Sequence, residues 1–319
     1  MIDAQTDKPL ENVNVYISNT TFGAATDRDG YYIIKSVPPG NHELIVSMIG
    51  YNYISEIIFL KADSELKYSF RLNQYIFETS ATEVLADVPH EWLDNLKIFK
   101  KYFLGQNIFA DDCEIDNEEI LEFNWTNSYT LVASAKSPLM IKNDALGYQI
   151  RCILAYFSLD TKYEKWSWAV KPEFKPLITS YTELINLWNE NRKRAFYGSI
   201  THFLLSLSRK NLHNDLFCAY FVDSPGKRRS RTESIRMSEP YENLFFYGET
   251  PDQYILNFKD CLCIVYNLTE VSWLQLKLDE VIIDKYGYPQ TANSFEVYGK
   301  WATRGAANSL PFYFVPDPE

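Results

Sequence analysis

The chain opens as a succession of short alternating apolar runs cut by turn residues. In NVNVYI (12–17), Val13, Val15 and Ile17 fall on one side of an extended segment. TDRDG (26–30) reads as a turn, because Asp27 and Asp29 can accept from nearby backbone N–H groups and Gly30 can take a positive φ. YYIIK (31–35) is the next predicted strand. VPPG (37–40) is a stiff turn, with φ fixed by proline and the tight end relieved by glycine. HELIVSMIGY (42–51), ISEIIFL (54–60) and LKYSFRL (66–72) complete the set. Strands this short and this evenly punctuated predict an antiparallel β-sandwich over residues 1–73.

The period is lost over 74–86, which reads as a linker. DVPHEWLDNLKIFKKYFLG (87–105) then predicts a helix, capped by Asp87, ended by Gly105, and striped by Trp92, Leu93, Leu96, Phe99 and Phe103. Strands are predicted again at 119–125, 129–135, 139–143, 147–159 and 162–170. A helix follows, with Ser180 and Glu183 in capping-box spacing and Leu184, Ile185, Leu187 and Trp188 on its apolar side. Another helix starts near Ser199 and carries Ile200, Phe203, Leu204 and Leu207. Strands are predicted at 216–222, 253–258, 261–267, 272–278 and 280–284. Residues 87–319 therefore read as an α+β domain of mostly antiparallel sheet.

Composition sharpens this picture in three places. Aromatic residues make up 16% of the 319, which suits pleated surfaces. The net charge of −11 sets the bulk field against phosphate, so no nucleic acid is expected as partner. The basic cluster Lys227, Arg228, Arg229 and Arg231 reads either as a solvated loop or as a docking patch for an anion. No apolar run approaches the ~18 residues of a membrane helix, so no transmembrane span is expected. The five cysteines cannot all pair internally. Cys261 and Cys263 share one strand face, Cys218 sits in an apolar run, and Cys113 with Cys152 is the one pairing considered.

Candidate chemistry is sparse. His42, His90, His202 and His213 stand in no zinc-binding spacing, and His90 and Glu91, being adjacent, point apart on a helix. ADDCEIDNEE (110–119) carries six carboxylates and reads as a solvated acidic loop or a weak cation site. Asp27 and Asp29, with Asn19 and Thr26, read as a hydrogen-bonded turn or a calcium contact. No catalytic, cofactor-binding or metal residue is assigned, and no cofactor is expected. Trp166 and Trp168, two apart in YEKWSWAVKPEF, share a strand face and are the candidates for contact with a glycan or peptide, or else belong to a core or seam.

One block resembles a known family. Thr6, Pro9 and Leu10, then Val13, Val15 and Tyr16, Gly23, Thr26 and Asp27, Asp29–Gly30–Tyr31, Val37–Pro38–Pro39–Gly40 and Ile49–Gly50–Tyr51 resemble the carboxypeptidase regulatory-like domain. The resemblance implies a transthyretin-like (prealbumin-like) Greek-key β-sandwich, an accessory module without peptidase chemistry. It also implies a strand before the Asp3–Ala4 turn, of which Met1 and Ile2 would be the end, with an export signal further upstream. The remainder, notably 100–123, 138–150, 192–207 and 298–316, resembles the body that follows this module in envelope proteins of Bacteroidota-type bacteria, a body of unassigned activity. The resemblance thus implies a periplasmic or outer-membrane-associated location. Receptors of the TonB-dependent type can begin with this sandwich, but three helical stretches and a short remainder argue against their barrel. The expectation is a non-catalytic envelope protein whose sandwich binds or docks, with an uncharacterised hydrolase or glycan-active enzyme in the C-terminal domain as the alternative.

Overall fold

Val13, Val15 and Ile17 are buried together, as their alternation requires. They begin the core of the first part of the computed structural model, which describes residues 1–75, 90–228, 245–248, 253–291 and 294–316. Asp87, residues 76–86 of the expected linker, Arg229 and Arg231 lie outside the described residues. The chain divides into two compact units. One holds Met1–Phe103 with Asp112–Ser180, the other Leu104–Asp111 with Tyr181–Glu319. This division falls elsewhere than the expected break at 74–86.

The first unit starts with β1 (Ile2–Asp3), β2 (Asn14–Ile17), β3 (Gly23–Ala25), β4 (Gly40–Ser47), β5 (Ile54–Leu60) and β6 (Arg71–Leu72). Four of these form an antiparallel sheet in the order β3-β2-β4-β5, while β1 pairs β6 in parallel. Val13, Val15, Ile17, Leu44, Val46, Ile58 and Leu72 form the core under the sheet. Two expected strands are corrected here. Residues 31–35 and 66–70 join no ladder with any described residue; of the latter segment Arg71 and Leu72 alone pair among the described residues. The period of two survives all the same. Tyr32 and Ile34 pack on the core, while Tyr31 and Ile33 are 73% and 72% exposed. Side-chain alternation sets which face is buried, but a strand also needs a neighbour for its backbone groups.

The unit continues with α1 (His90–Phe103), β7 (Cys113–Ile115), a 3-10 turn at Glu118–Ile120, β8 (Leu121–Trp125), β9 (Thr130–Ala135), β10 (Leu139–Asn143), β11 (Tyr148–Asp160) and β12 (Lys165–Pro176). The 13-residue β11 organises this sheet. One half pairs β10, the other half β9, and β12 runs along its opposite side. Phe99 of α1 lies 4.8 Å from both Phe103 and Phe157, ring centre to ring centre, so α1 covers this face. Leu93, expected in the apolar stripe, is exposed. The acidic segment is not simply a loop. Cys113 and Ile115 are buried in β7, and Glu118 pairs with Lys100.

A polar seam joins the two sheets of this unit. Tyr16, Ile45 and Ile153 form a small buried cluster. Around it, Tyr16 Oη donates to the Lys171 carbonyl at 2.8 Å, Asn14 Nδ2 to Glu173 Oε2 at 2.6 Å, and Arg151 Nη2 to Ser47 Oγ at 3.1 Å. The backbone joins too: Asn19 N–H donates to the Pro172 carbonyl at 2.7 Å, and Phe174 N–H to the Thr20 carbonyl at 2.9 Å. Lys171 pairs with Glu43. Buried polar groups cost free energy unless partnered, and here each sheet supplies the other's partners.

The second unit contains α2 (Thr182–Phe196), α3 (Ile200–Ser208), β13 (Phe217–Val222), β14 (Phe245–Tyr247), β15 (Gln253–Leu256), β16 (Cys261–Tyr266), β17 (Glu270–Leu276), β18 (Val281–Asp284) and β19 (Phe295–Gly299). They form sheets β13-β16-β17-β19 and β14-β15-β18. Phe203, Leu204 and Leu207 of α3 share a core with Phe217, Leu262, Ile264, Leu274 and Trp301. The capping box at α2 does not form. Tyr181 holds the cap position but makes no side-chain capping bond to the helix, and Ser180 sits one residue too early. Ile185 and Leu187 are exposed, leaving Trp188 as the buried member of that predicted face. Ser199 does cap α3, its Oγ accepting from His202 N–H at 3.1 Å.

Leu104–Asp111 adds a strap to this unit. Gly105 bridges Arg304, Gln106 N–H donates to the Thr303 carbonyl, and Ala307 N–H donates to the Leu104 carbonyl. None of the five cysteines is joined in a disulfide among the described residues. Cys113 faces Asn143 and Cys152 faces Leu139, so the considered pair is separated by one strand and by four positions along it. Taken together, the described residues are mostly sheet with three α-helices, none of them long and apolar enough to cross a membrane.

Candidate functional site

Among the described residues, the first 75 expose several large apolar side chains. In β5, alternate residues point away from the sandwich core, and Ile57 and Phe59 are 64% and 53% exposed beside exposed Tyr53. Among the described residues the strand is an edge, paired to β4 alone. On the other layer, Tyr31 and Ile33 stand out from the unladdered run, with exposed Leu66 and Tyr68 on the second run. Grouped apolar side chains on a surface mark interaction sites in soluble folds more often than scattered single residues do.

Asp3 organises one end of this region. Its Oδ1 accepts from the N–H groups of Gln5 and Thr6 at 2.9 and 2.8 Å, and its Oδ2 from Tyr51 Oη and Gln74 Nε2 at 2.8 and 3.0 Å. The Tyr51 hydroxyl, then the Thr6 amide and the Gln74 side chain, hold the carboxyl well below the usual range. The same bond pushes the Tyr51 phenol up. Asp27 is a turn residue: Oδ1 accepts from the N–H groups of Asp29 and Tyr31 at 3.0 and 2.9 Å, and Gly30 takes φ +77°.

Trp166 and Trp168 share a face of β12, and both are half-buried. That face is turned to α1. Trp166 lies 5.0 Å from the Tyr102 ring and Trp168 5.3 Å from Phe103, edge to face. Their stacking area is thus partly taken up by the helix.

The histidines are scattered. His42 is buried, with Nε2 2.7 Å from the Pro38 carbonyl, while His90 and His213 are exposed. His202 is buried in a box of rings, with centres of Phe217, Phe196, Tyr197 and Tyr266 at 4.9, 5.0, 5.2 and 5.9 Å. Its Nδ1 accepts from Gly198 N–H at 3.1 Å, and burial pushes the imidazole down to about 4. Among the described residues, no group of three or more His, Cys, Asp and Glu is placed to hold a metal ion.

Sequence reading missed a cluster beside this histidine. Arg304 Nη1 and Nη2 donate to the Ala195 and Tyr197 carbonyls at 2.9 and 3.2 Å, and Nη2 lies 3.7 Å from Glu270 Oε2. Trp301 Nε1 donates to the Gly198 carbonyl at 2.7 Å. The guanidinium thus closes the carbonyl end of α2, a positioning task. Arg304, Glu270 and Tyr197 come from three distant stretches, which hid the cluster. A usable signal was that RKRAFYGS and KWATRG both stood out in the sequence, and they pack on one another.

Residues 1–84 match the family model of the CarboxypepD_reg-like domain. The match extends past the expected end at 73. No curated protein and no solved structure matches the chain. The CarboxypepD_reg-like segment is a β-sandwich type, and it carries the Asp3 network, the Asp27 turn and the exposed rows on β5 and residues 31–33.

Proposed function

We propose that this chain is a non-catalytic docking protein of the cell envelope, whose regulatory-like sandwich is the docking module. The observation that carries this is the exposed apolar surface of the module, Tyr31, Ile33, Tyr53, Ile57 and Phe59 on its two layers. The polar seam supports it, because a module braced from behind through Tyr16, Asn14 and Arg151 presents its free edges rigidly. The transthyretin-like, Greek-key form of the sandwich, the α+β character of residues 87–319 and the envelope location belong to the same reading and rest on the resemblance of the sequence blocks.

The test is site-specific photo-crosslinking in cells that make the full chain. A crosslinker at Ile57 or Ile33 is expected to give a discrete adduct with another envelope protein, whereas one at the equally exposed Tyr163 is not. Adducts at Tyr163 alone, or recovery of the protein outside the envelope fraction, would overturn the reading.

A further inference from the structure

Among the described residues, β3 and β5 are the two edges of the sheet β3-β2-β4-β5. They are unlike edges. β3 has three residues, and a Cβ on its Gly23 would stand 2.9 Å from Glu173 Oε1, so β12 crowds it. β5 has seven, and it pairs β4 without a register shift from Val46 opposite Ile54 to Gly40 opposite Leu60. Along its free side, alternate N–H and C=O groups point away from β4. Sheet edges are ordinarily blunted by proline, a bulge or charge, because such a row of groups is a template for another strand. ISEIIFL (54–60) holds no proline and keeps an unbroken register, and its one charged residue is Glu56.

The side chains of β5 sort into two rows. Ile54 and Ile58 pack on the sandwich core, with Glu56 and Leu60 in the same row. Ser55, Ile57 and Phe59 form the other row, continued by Tyr53 and Lys61, and all five are exposed. This outer row is complementary to itself. When a second β5 runs antiparallel about a twofold axis through Ile57, the whole of 54–60 pairs. Ile57 then meets its own copy, Ser55 meets Phe59, Glu56 meets Ile58 and Ile54 meets Leu60. The next positions outward set Lys61 against Tyr53, an ammonium beside a ring. Moving the axis to Glu56 or Ile58 pairs only 54–58 or 56–60. At Glu56 it also sets two carboxylates directly opposite, which is destabilising. The axis at Ile57 alone gives full overlap with no like charges opposed.

We infer that β5 pairs with β5 of a second copy of this chain, joining two four-stranded sheets edge to edge. This rests on the docking reading above and names the partner at this edge: the envelope protein met at Ile57 is a second copy, and the Tyr31 and Ile33 side is left to a different one. Main-chain hydrogen bonds between the strands supply affinity, and the outer row supplies selection. Its centre becomes Ile57, Phe59 and their copies, and its ends become Tyr53 with Lys61, an apolar middle with a polar rim. The twofold axis makes every contact occur twice.

The test uses the full chain, by sedimentation and by cysteine crosslinking. The chain is expected to sediment as a dimer that dissociates on dilution. Ile57→Lys, an exposed change that leaves the core intact, sets like charges opposite each other and is expected to weaken self-association about 10-fold. Tyr163→Lys is expected to leave it unchanged. Ile57→Cys places one thiol on the axis, with the two Cβ atoms ~5 Å apart, and a mild thiol oxidant is expected to link the copies. Phe59→Cys is not expected to link, because its own copy lies four positions along, roughly 13 Å away. The unsubstituted chain, whose five thiols are buried or half-buried, gives the background. A monomer at every soluble concentration, or equal linking of Phe59→Cys and Ile57→Cys, would overturn the pairing. An Ile57 photo-adduct with a different protein would also overturn it and leave docking standing. A dimer recovered outside the envelope fraction would overturn the envelope reading and leave the pairing standing.

Discussion

A histidine enclosed by four rings, with Nδ1 accepting from Gly198 N–H, has to be neutral. Burial is the main cause of its lowered basicity; Asp215 pulls the other way and Arg304 adds to the depression. The folded value is near 4 against an ordinary 6.5, so the contribution is complete above pH 6.5 and is lost as pH falls toward 4. Denaturant titrations across that window should show a loss on the order of 2–3 kcal/mol that a His202→Phe variant does not show. Asp3 loses its contribution lower, below its ordinary value of 3.8, because its carboxylate form is the stabilised one. Trp166 and Trp168 illustrate what residue spacing can and cannot tell. Their common face follows from the period of a strand, but the occupant of that face, α1, comes from a distant stretch of the chain, Tyr102 and Phe103. Trp168→Ala should therefore lower stability by about 2 kcal/mol, part of the full cost of losing a buried aromatic, measured by thermal melting.

At the scale of elements, turns and strands were legible to different degrees. The Asp27–Gly30 turn follows from local chemistry alone, and it has the positive φ and the side-chain bonds its residues require. Gly30→Val should cost about 2–3 kcal/mol, because φ +77° is strained for valine and the new Cβ would stand 2.3 Å from the Met1 carbonyl oxygen. Gly40→Val should cost less, about 1 kcal/mol, since its Cβ would meet open space. Equal melting of the two variants would contradict this ranking. Residues 31–35 show the limit of period-two patterns: alternation reports burial, whereas a ladder needs a neighbour that no local pattern specifies. The caps divide the same way. Ser199 reaches His202 N–H because α3 begins at the next residue, and Ser180 misses because α2 begins two later.

At the scale of the molecule, the sequence marked off a leading sandwich but not what it leans on. The sandwich falls in one compact unit with β7–β12 because β12 supplies partners for Tyr16 and Asn14, and β4 supplies the partner for Arg151 of β11, strands whose patterns read as ordinary sheet. Tyr16→Phe should cost about 1–2 kcal/mol, the loss of one buried hydrogen bond, and residues 1–180 should unfold in a single transition by pulsed proteolysis. Separate melting of residues 1–73 would argue against so close a coupling. The strap has a different bearing, on the order in which the protein can be completed during its synthesis. Leu104–Asp111 leaves the ribosome early, yet Thr303 and Ala307, which bind it, emerge about 200 residues later, a delay of roughly 10–40 s at typical translation speeds. For that interval the segment waits without Thr303 and Ala307, and the second unit cannot close until they have emerged.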